Sequence, residues 1–264
     1  MPLGSSDKLI RLSKSCLSAA EKKAVMGVLD REFLGMGTEV QHLEQALSDF
    51  FGRPSVCVAN GTAALQLALQ AIGVGPGDDV LVPSLTYVAS FQAISATGAK
   101  PVACDILSDS LTLDWSDAER RMTKNTKAIM PVHYSGGAKK SSEENSFAQQ
   151  YGLRIVEDAA HAFGTVVQGQ RVGSFGDIAC FSFDGIKNIT SGEGGCIVTD
   201  DVEVLGRIRD SRLLGIEKDT EQRFTGQRSW EFDVTGQGWR YHKSDIMAVI
   251  RREHTERFAE MCSA

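Results

Sequence analysis

The chain has 264 residues, enough for one large core or two unequal domains, and its 42% hydrophobic and 23% charged composition excludes a disordered or fibrous protein. The formal net charge is −6, with lysines and arginines scattered rather than striped, which argues against a nucleic-acid binder. No apolar run approaches the roughly 20 residues of a membrane span, and the start, Met1-Pro-Leu-Gly-Ser-Ser, has no long apolar segment, so a cytoplasmic protein is expected. The six cysteines (Cys16, Cys57, Cys104, Cys180, Cys196, Cys262) contain no Cys-x-x-Cys pair, and four lie in apolar runs. They read as reduced core thiols rather than disulfides or metal ligands.

In chain order, Ser18 to Leu29 predicts a helix, and a second follows from a Thr38 cap with Val40, Leu43, Leu47 and Phe50 at helical spacing. Short apolar runs then alternate with helical stretches. The strands expected are Ser55–Ala59, followed by a helix from Gly61; Asp79–Val82, followed by a helix from about Thr86; Pro101–Cys104; Ala128–His133; Arg154–Glu157; Ile178–Phe183; and Cys196–Thr199. This alternation predicts an α/β fold with a mainly parallel sheet sandwiched by helices. The segment from Gly136 to Ser146 has almost no apolar face and is expected to be a loop or a disordered patch where a crossover helix is wanted. After Asp245 one amphipathic stretch remains, Ile246 to Met261. The division expected is an N-terminal segment 1–33, a large domain 34–240 and the start of a C-terminal domain 241–264.

Ligands of parallel sheets sit beyond the carboxyl ends of the strands, and three motifs fall there. Asn60-Gly-Thr-Ala-Ala-Leu65 joins a strand to a helix, so Gly61 allows close approach while Thr62 and Ala63 present N–H groups to an anion; a simple helix cap competes with this. Glu157-Asp158 ends a strand whose alternation sends only one carboxylate, Asp158 as the better fit, into the cleft. Lys187 follows an apolar run and precedes Gly192-Glu-Gly-Gly195, a setting in which an amine can lose its proton and act as nucleophile and base. Lysines such as Lys124, Lys127 and Lys218 fall in polar stretches instead. An amine for an aldehyde, a carboxylate for a ring nitrogen and a helix N-terminus for a phosphate are the three needs of pyridoxal phosphate (PLP). Ser182 offers a hydroxyl to the phosphate or is a satisfied buried hydroxyl, Tyr87 stacks on the ring or is core, and His161 touches the ring or is structural.

These stretches, with Pro83-Ser-Leu-Thr-Tyr-Val-Ala-Ser90 and Phe181-Ser-Phe183, resemble the DegT/DnrJ/StrS nucleotide-sugar aminotransferases in order and spacing from about Leu34 to Ile250. The resemblance implies the aspartate-aminotransferase type of fold, with Lys187 as Schiff-base former and Asp158 on the ring nitrogen. It also implies phosphate held by Ser182 and the Thr62 and Ala63 amides, stacking by Tyr87, and a homodimer with shared sites. The implied reaction moves an amino group, usually from glutamate, to a nucleotide-linked keto-sugar for lipopolysaccharide, glycan or antibiotic amino sugars. Lysine rather than histidine at 187 favours transamination over the related dehydration. Gly238-Trp-Arg-Tyr241 resembles the segment that enters the partner's site, with Arg240 where asparagine is usual; a guanidinium still suits phosphate. Much of the family's smaller C-terminal domain is expected to be missing, so a weakly active or inactive PLP-binding or partner-binding chain is the alternative, and a lyase on a similar fold is a further one.

Overall fold

The computed structural model describes residues 13–138, 142–225 and 231–257. Helix α1 (Ala19–Asp30) is opened by a Ser18/Glu21 capping box, and α2 (Thr38–Phe51) follows. The remaining elements in order are β1 (Ser55–Val58), α3 (Gly61–Ala71), β2 (Asp79–Pro83), α4 (Val88–Ala96), β3 (Lys100–Cys104), α5 (Trp115–Arg121), β4 (Thr126–Ile129) and α6 (Ser142–Tyr151). They continue as β5 (Arg154–Asp158), the hairpin β6 (Val166–Val167) and β7 (Gln170–Arg171), β8 (Ile178–Ser182), β9 (Gly195–Val198), α7 (Val202–Ser211), α8 (Asp219–Phe224) and α9 (Asp245–Glu256).

Seven strands form one sheet in the order β1-β9-β8-β5-β4-β2-β3. Every neighbour pair is parallel except those of β9, which runs antiparallel to β1 and β8. Alternate strand residues face opposite sides, as the pleat requires. Val80, Val82, Val156 and Cys180 pack with α3, α4 and α7 on one face, while Leu81 and Ile155, and Ala179 and Phe181, belong to clusters on the other. Helix α3 is apolar nearly all round because it lies between the sheet and α4 and α7; Leu65, Leu67 and Leu69 are each at most 2% exposed. Burying each contributes about 1.5–3 kcal/mol.

Two local expectations change. Thr38 does not cap α2: the cap position is Gly37, and Asp245 Oδ1 accepts the Gly37 and Val40 amides at 2.8 and 3.2 Å. The cap thus comes from the start of α9, which packs on α1 and α2. The expected loop at 136–146 contains the first turns of α6, whose apolar residues Phe147, Ala148 and Tyr151 lie further along and pack with Trp115 and Leu153. Lys139–Ser141 lie outside the described residues, as do Cys262 and the end of the Ile246–Met261 stretch. Cys57, Cys104, Cys180 and Cys196 are buried free thiols and Cys16 is an exposed one. Among the described residues no helix is long and apolar enough to cross a membrane.

Candidate active site

A cleft of about 710 Å³ opens at the carboxyl ends of the parallel strands, where Gly61, Thr62, Tyr87, Asp158, His161, Ser182 and Lys187 all contribute to its wall. Three elements build its base. Asn60 caps α3, its Oδ1 accepting the Ala63 amide at 2.8 Å. Ala63 is therefore engaged and 3% exposed, and it does not line the cleft; the Gly61 and Thr62 amides have no hydrogen-bond partner among the described residues. Gly61 is where it is because a Cβ would stand 2.8 Å from Ser182 Cβ. That closeness puts the β8 hydroxyl beside the positive end of α3, the arrangement that binds an anion.

Asp158, at the end of β5, is 6% exposed. Its Oδ1 accepts the Ala160 amide at 3.1 Å and its Oδ2 the Ser90 hydroxyl at 2.7 Å. Glu157 turns to the other side, as alternation dictates, and meets His133 Nε2 at 2.7 Å. Burial alone would lower the His133 pKa, but the Glu157 carboxylate outweighs it and the imidazole titrates above its ordinary value. Glu144 of α6 is pushed up to about 7 by burial, with the Glu157 charge adding to the effect. His161 stands at the mouth, where its Nδ1 accepts the Ser135 amide at 3.3 Å. Burial and the Lys187 charge lower its pKa. A neutral ring with Nδ1 so occupied carries its proton on Nε2 and faces a ligand as a donor.

Lys187 lies in a turn closed at its base by Phe183, whose amide donates to Gly194 O at 2.7 Å and whose carbonyl accepts the Ser191 amide at 3.0 Å. The Lys187 amide donates to Asp184 O at 3.0 Å, while its Nζ, in the cleft wall, has no hydrogen-bond or ion-pair partner among the described residues. Sequence reasoning missed the support beneath this turn. Lys243 is 1% exposed, and its Nζ donates to Ser191 Oγ at 2.7 Å and Glu193 O at 2.9 Å. Burial, with Arg251 nearby, pulls the Lys243 amine down to about 8. Nothing in the polar string Tyr241-His-Lys-Ser244 announces a buried amine. Arg240 is exposed and outside the cleft of its own chain. Tyr87 precedes α4 and is 72% exposed at the rim.

The donors fit PLP: an unpaired amine, a buried carboxylate already holding two donors, and a hydroxyl next to two free helix amides share one cleft. Comparison with solved structures agrees. The PLP form of Spr1654 from Streptococcus pneumoniae superposes with a TM-score of 0.87 at 30% identity, over 95% of this chain and 67% of that one. The aminotransferase TlmJ from Streptoalloteichus hindustanus gives 0.85 at 31% identity, over 96% and 67%. PseC of Helicobacter pylori, an aminotransferase involved in the biosynthesis of pseudoaminic acid, gives 0.86 at 26% identity, over 96% and 67%. The chain thus spans about two thirds of the length of these structures. A model of the DegT/DnrJ/EryC1/StrS aminotransferases matches residues 15–264, and the chain belongs to that PLP-dependent family.

Proposed function

We propose that the chain is a PLP-dependent aminotransferase that takes an amino group from glutamate and passes it to a nucleotide-linked keto-sugar, for the amino sugars of lipopolysaccharide, glycans or antibiotics. The observation that carries this reading is the unpaired Lys187 amine in the same cleft as the buried Asp158 carboxylate. PLP, when bound, supplies an electrophilic aldehyde and a ring that accepts electrons. Lys187 Nζ would hold that aldehyde, and its free amine would move the proton off and onto substrate carbon. Asp158 would hold the proton at the ring nitrogen and so keep the ring electron-poor. Ser182 Oγ and the Gly61 and Thr62 amides would hold the phosphate, Tyr87 would cover the ring, and the His161 Nε2–H would meet its oxygen. Ala63 supports this by completing the Asn60 cap.

Among the described residues that line the cleft, Lys187 is the sole lysine or arginine, so anionic substrates need a cation from elsewhere. The exposed Arg240 supplies it to the neighbouring subunit of a homodimer, and its guanidinium suits phosphate or carboxylate. The working place is the cytoplasm, in keeping with free buried thiols. Purified protein mixed with PLP and then with glutamate should release 2-oxoglutarate, and its bound cofactor should become the pyridoxamine form. PLP binding without that conversion would move the reading to a non-catalytic member of the family.

A further inference from the structure

Behind Asp158 runs a chain of hydroxyls. Ser90, on the first turn of α4, is completely buried, and its Oγ lies 2.7 Å from Asp158 Oδ2. An ionised carboxylate only accepts, so the single Ser90 proton is spent on Asp158. Thr86 Oγ1 lies 2.7 Å from the same Ser90 oxygen. With the Ser90 proton committed, Thr86 has to be the donor in that contact. The direction Thr86 to Ser90 to Asp158 is therefore fixed by the number of protons available.

Thr86 is also part of the cleft wall, next to Tyr87, and its oxygen keeps only acceptor capacity for whatever enters. Asp158 has a second donor in the Ala160 amide, so each of its two oxygens accepts a hydrogen bond. A carboxylate so held cannot swing away from a ring nitrogen without taking the acceptor from the Ser90 hydroxyl in a fully buried slot. We propose that Ser90 is a positioning residue for Asp158, and that Thr86 locks Ser90 in the donating orientation from the cleft wall. This rests on the reading of Asp158 as the partner of the PLP ring nitrogen. Neither residue touches the reacting atoms; both act through the orientation of one carboxylate.

The test is a cycle of Ser90→Ala, Thr86→Val, the double variant and Ser90→Thr, read as the dissociation constant of PLP from the full chain and as the glutamate half-reaction. Ser90→Ala should weaken PLP about tenfold, the equivalent of one hydrogen bond to a charged group, and slow the half-reaction at saturating glutamate without moving the half-saturating concentration. Thr86→Val should give a smaller loss of the same kind. Members of one chain are not independent, so the double variant should be no worse than Ser90→Ala alone. Ser90→Thr retains the hydroxyl and should stay within about threefold of the parent, a rescue expected of an intact hydrogen bond. Additive losses, or a Ser90→Ala chain that binds PLP and reacts like the parent, would overturn the relay. If Ser90→Ala does not fold, Thr86→Val decides, because loss of its donor must show in both readouts. Asp158→Asn separates the two levels of the argument. If it equals the parent, the ring-nitrogen reading fails; if it is impaired while Ser90→Ala is not, only the relay fails.

Discussion

Replacing Lys243 by methionine should strengthen the empty protein slightly while weakening its hold on PLP. The lysine stem is preserved in methionine, so packing near Phe183 changes little, and the perturbation is confined to one buried amine. A fall from 10.5 to about 8 means that keeping the ammonium charged in the fold at neutral pH costs about 3 kcal/mol. Against this stand two hydrogen bonds, to Ser191 Oγ and Glu193 O, each contributing about 1 kcal/mol net. Ser191 Oγ also donates to Glu193 O at 2.7 Å, so removing the amine leaves neither oxygen without a partner. The balance is a gain of about 1 kcal/mol for Lys243→Met at pH 7.

The pH dependence separates this from ordinary repacking. A folded-state pKa below the unfolded one leaves the unfolded chain binding more protons between about pH 8 and 10.5, so stability rises with pH there through this group. Lys243→Met should lose that rise, so its advantage shrinks toward pH 10. Urea unfolding of cofactor-free parent and variant at pH 7 and pH 9.5 reads the difference, and PLP titration reads the loosening of the turn that carries Lys187. A variant destabilised by about 3 kcal/mol at both pH values would refute the reasoning, since the amine would then be a net anchor rather than a net cost.

Three further outcomes follow from the same geometry. Gly61→Ala puts a Cβ about 2.8 Å from that of Ser182, an overpacking that costs about 1–3 kcal/mol; PLP affinity measured by titration should fall about tenfold or more, and unchanged affinity would show that the phosphate does not sit there. His133 titrates above its ordinary value, so its contribution is complete below about pH 6.5 and is lost as pH rises through the folded value; Glu144, raised to about 7, disfavours the fold as pH climbs from 4.5. Unfolding free energies relative to parent should therefore show Glu144→Gln flattening the decline between pH 4.5 and 7, and Glu157→Gln flattening the one that starts near 6.5. A homodimer sharing Arg240 predicts that Lys187→Ala and Arg240→Ala chains, each inactive alone, regain activity when mixed; no recovery despite mixed dimers, or a monomer in solution, removes the cross-subunit role.

The sheet and the site were legible to different depths. Strands such as Ile178–Ser182 are short, apolar and bounded by glycines, so period and punctuation reveal them, and the residues at their carboxyl ends mark the cleft. The reversed direction of β9 was not legible, because a buried strand reads the same in either direction. The apolar side of α6 was overlooked because it begins at Phe147, after the polar run that opens the helix. Chemistry at single positions followed the same rule. Asp158 ends β5, Asn60 caps α3 and Lys187 lies in the turn between β8 and β9, where local pattern points to them. Lys243, His133 and Asp245 act on residues 52, 24 and 208 positions away, and such pairings exist only once the chain is folded. Ser90 is intermediate, since it belongs to a motif but its role depends on the carboxylate that β5 brings to it.

The most direct measurement is borohydride reduction of the PLP-saturated chain followed by proteolysis and mass mapping of the attached pyridoxyl group. The account predicts one modified peptide, the one containing Lys187, and no modification in Lys187→Ala. A pyridoxyl group on the buried Lys243 or on any other lysine of the unaltered chain, or none at all at saturation, would contradict it.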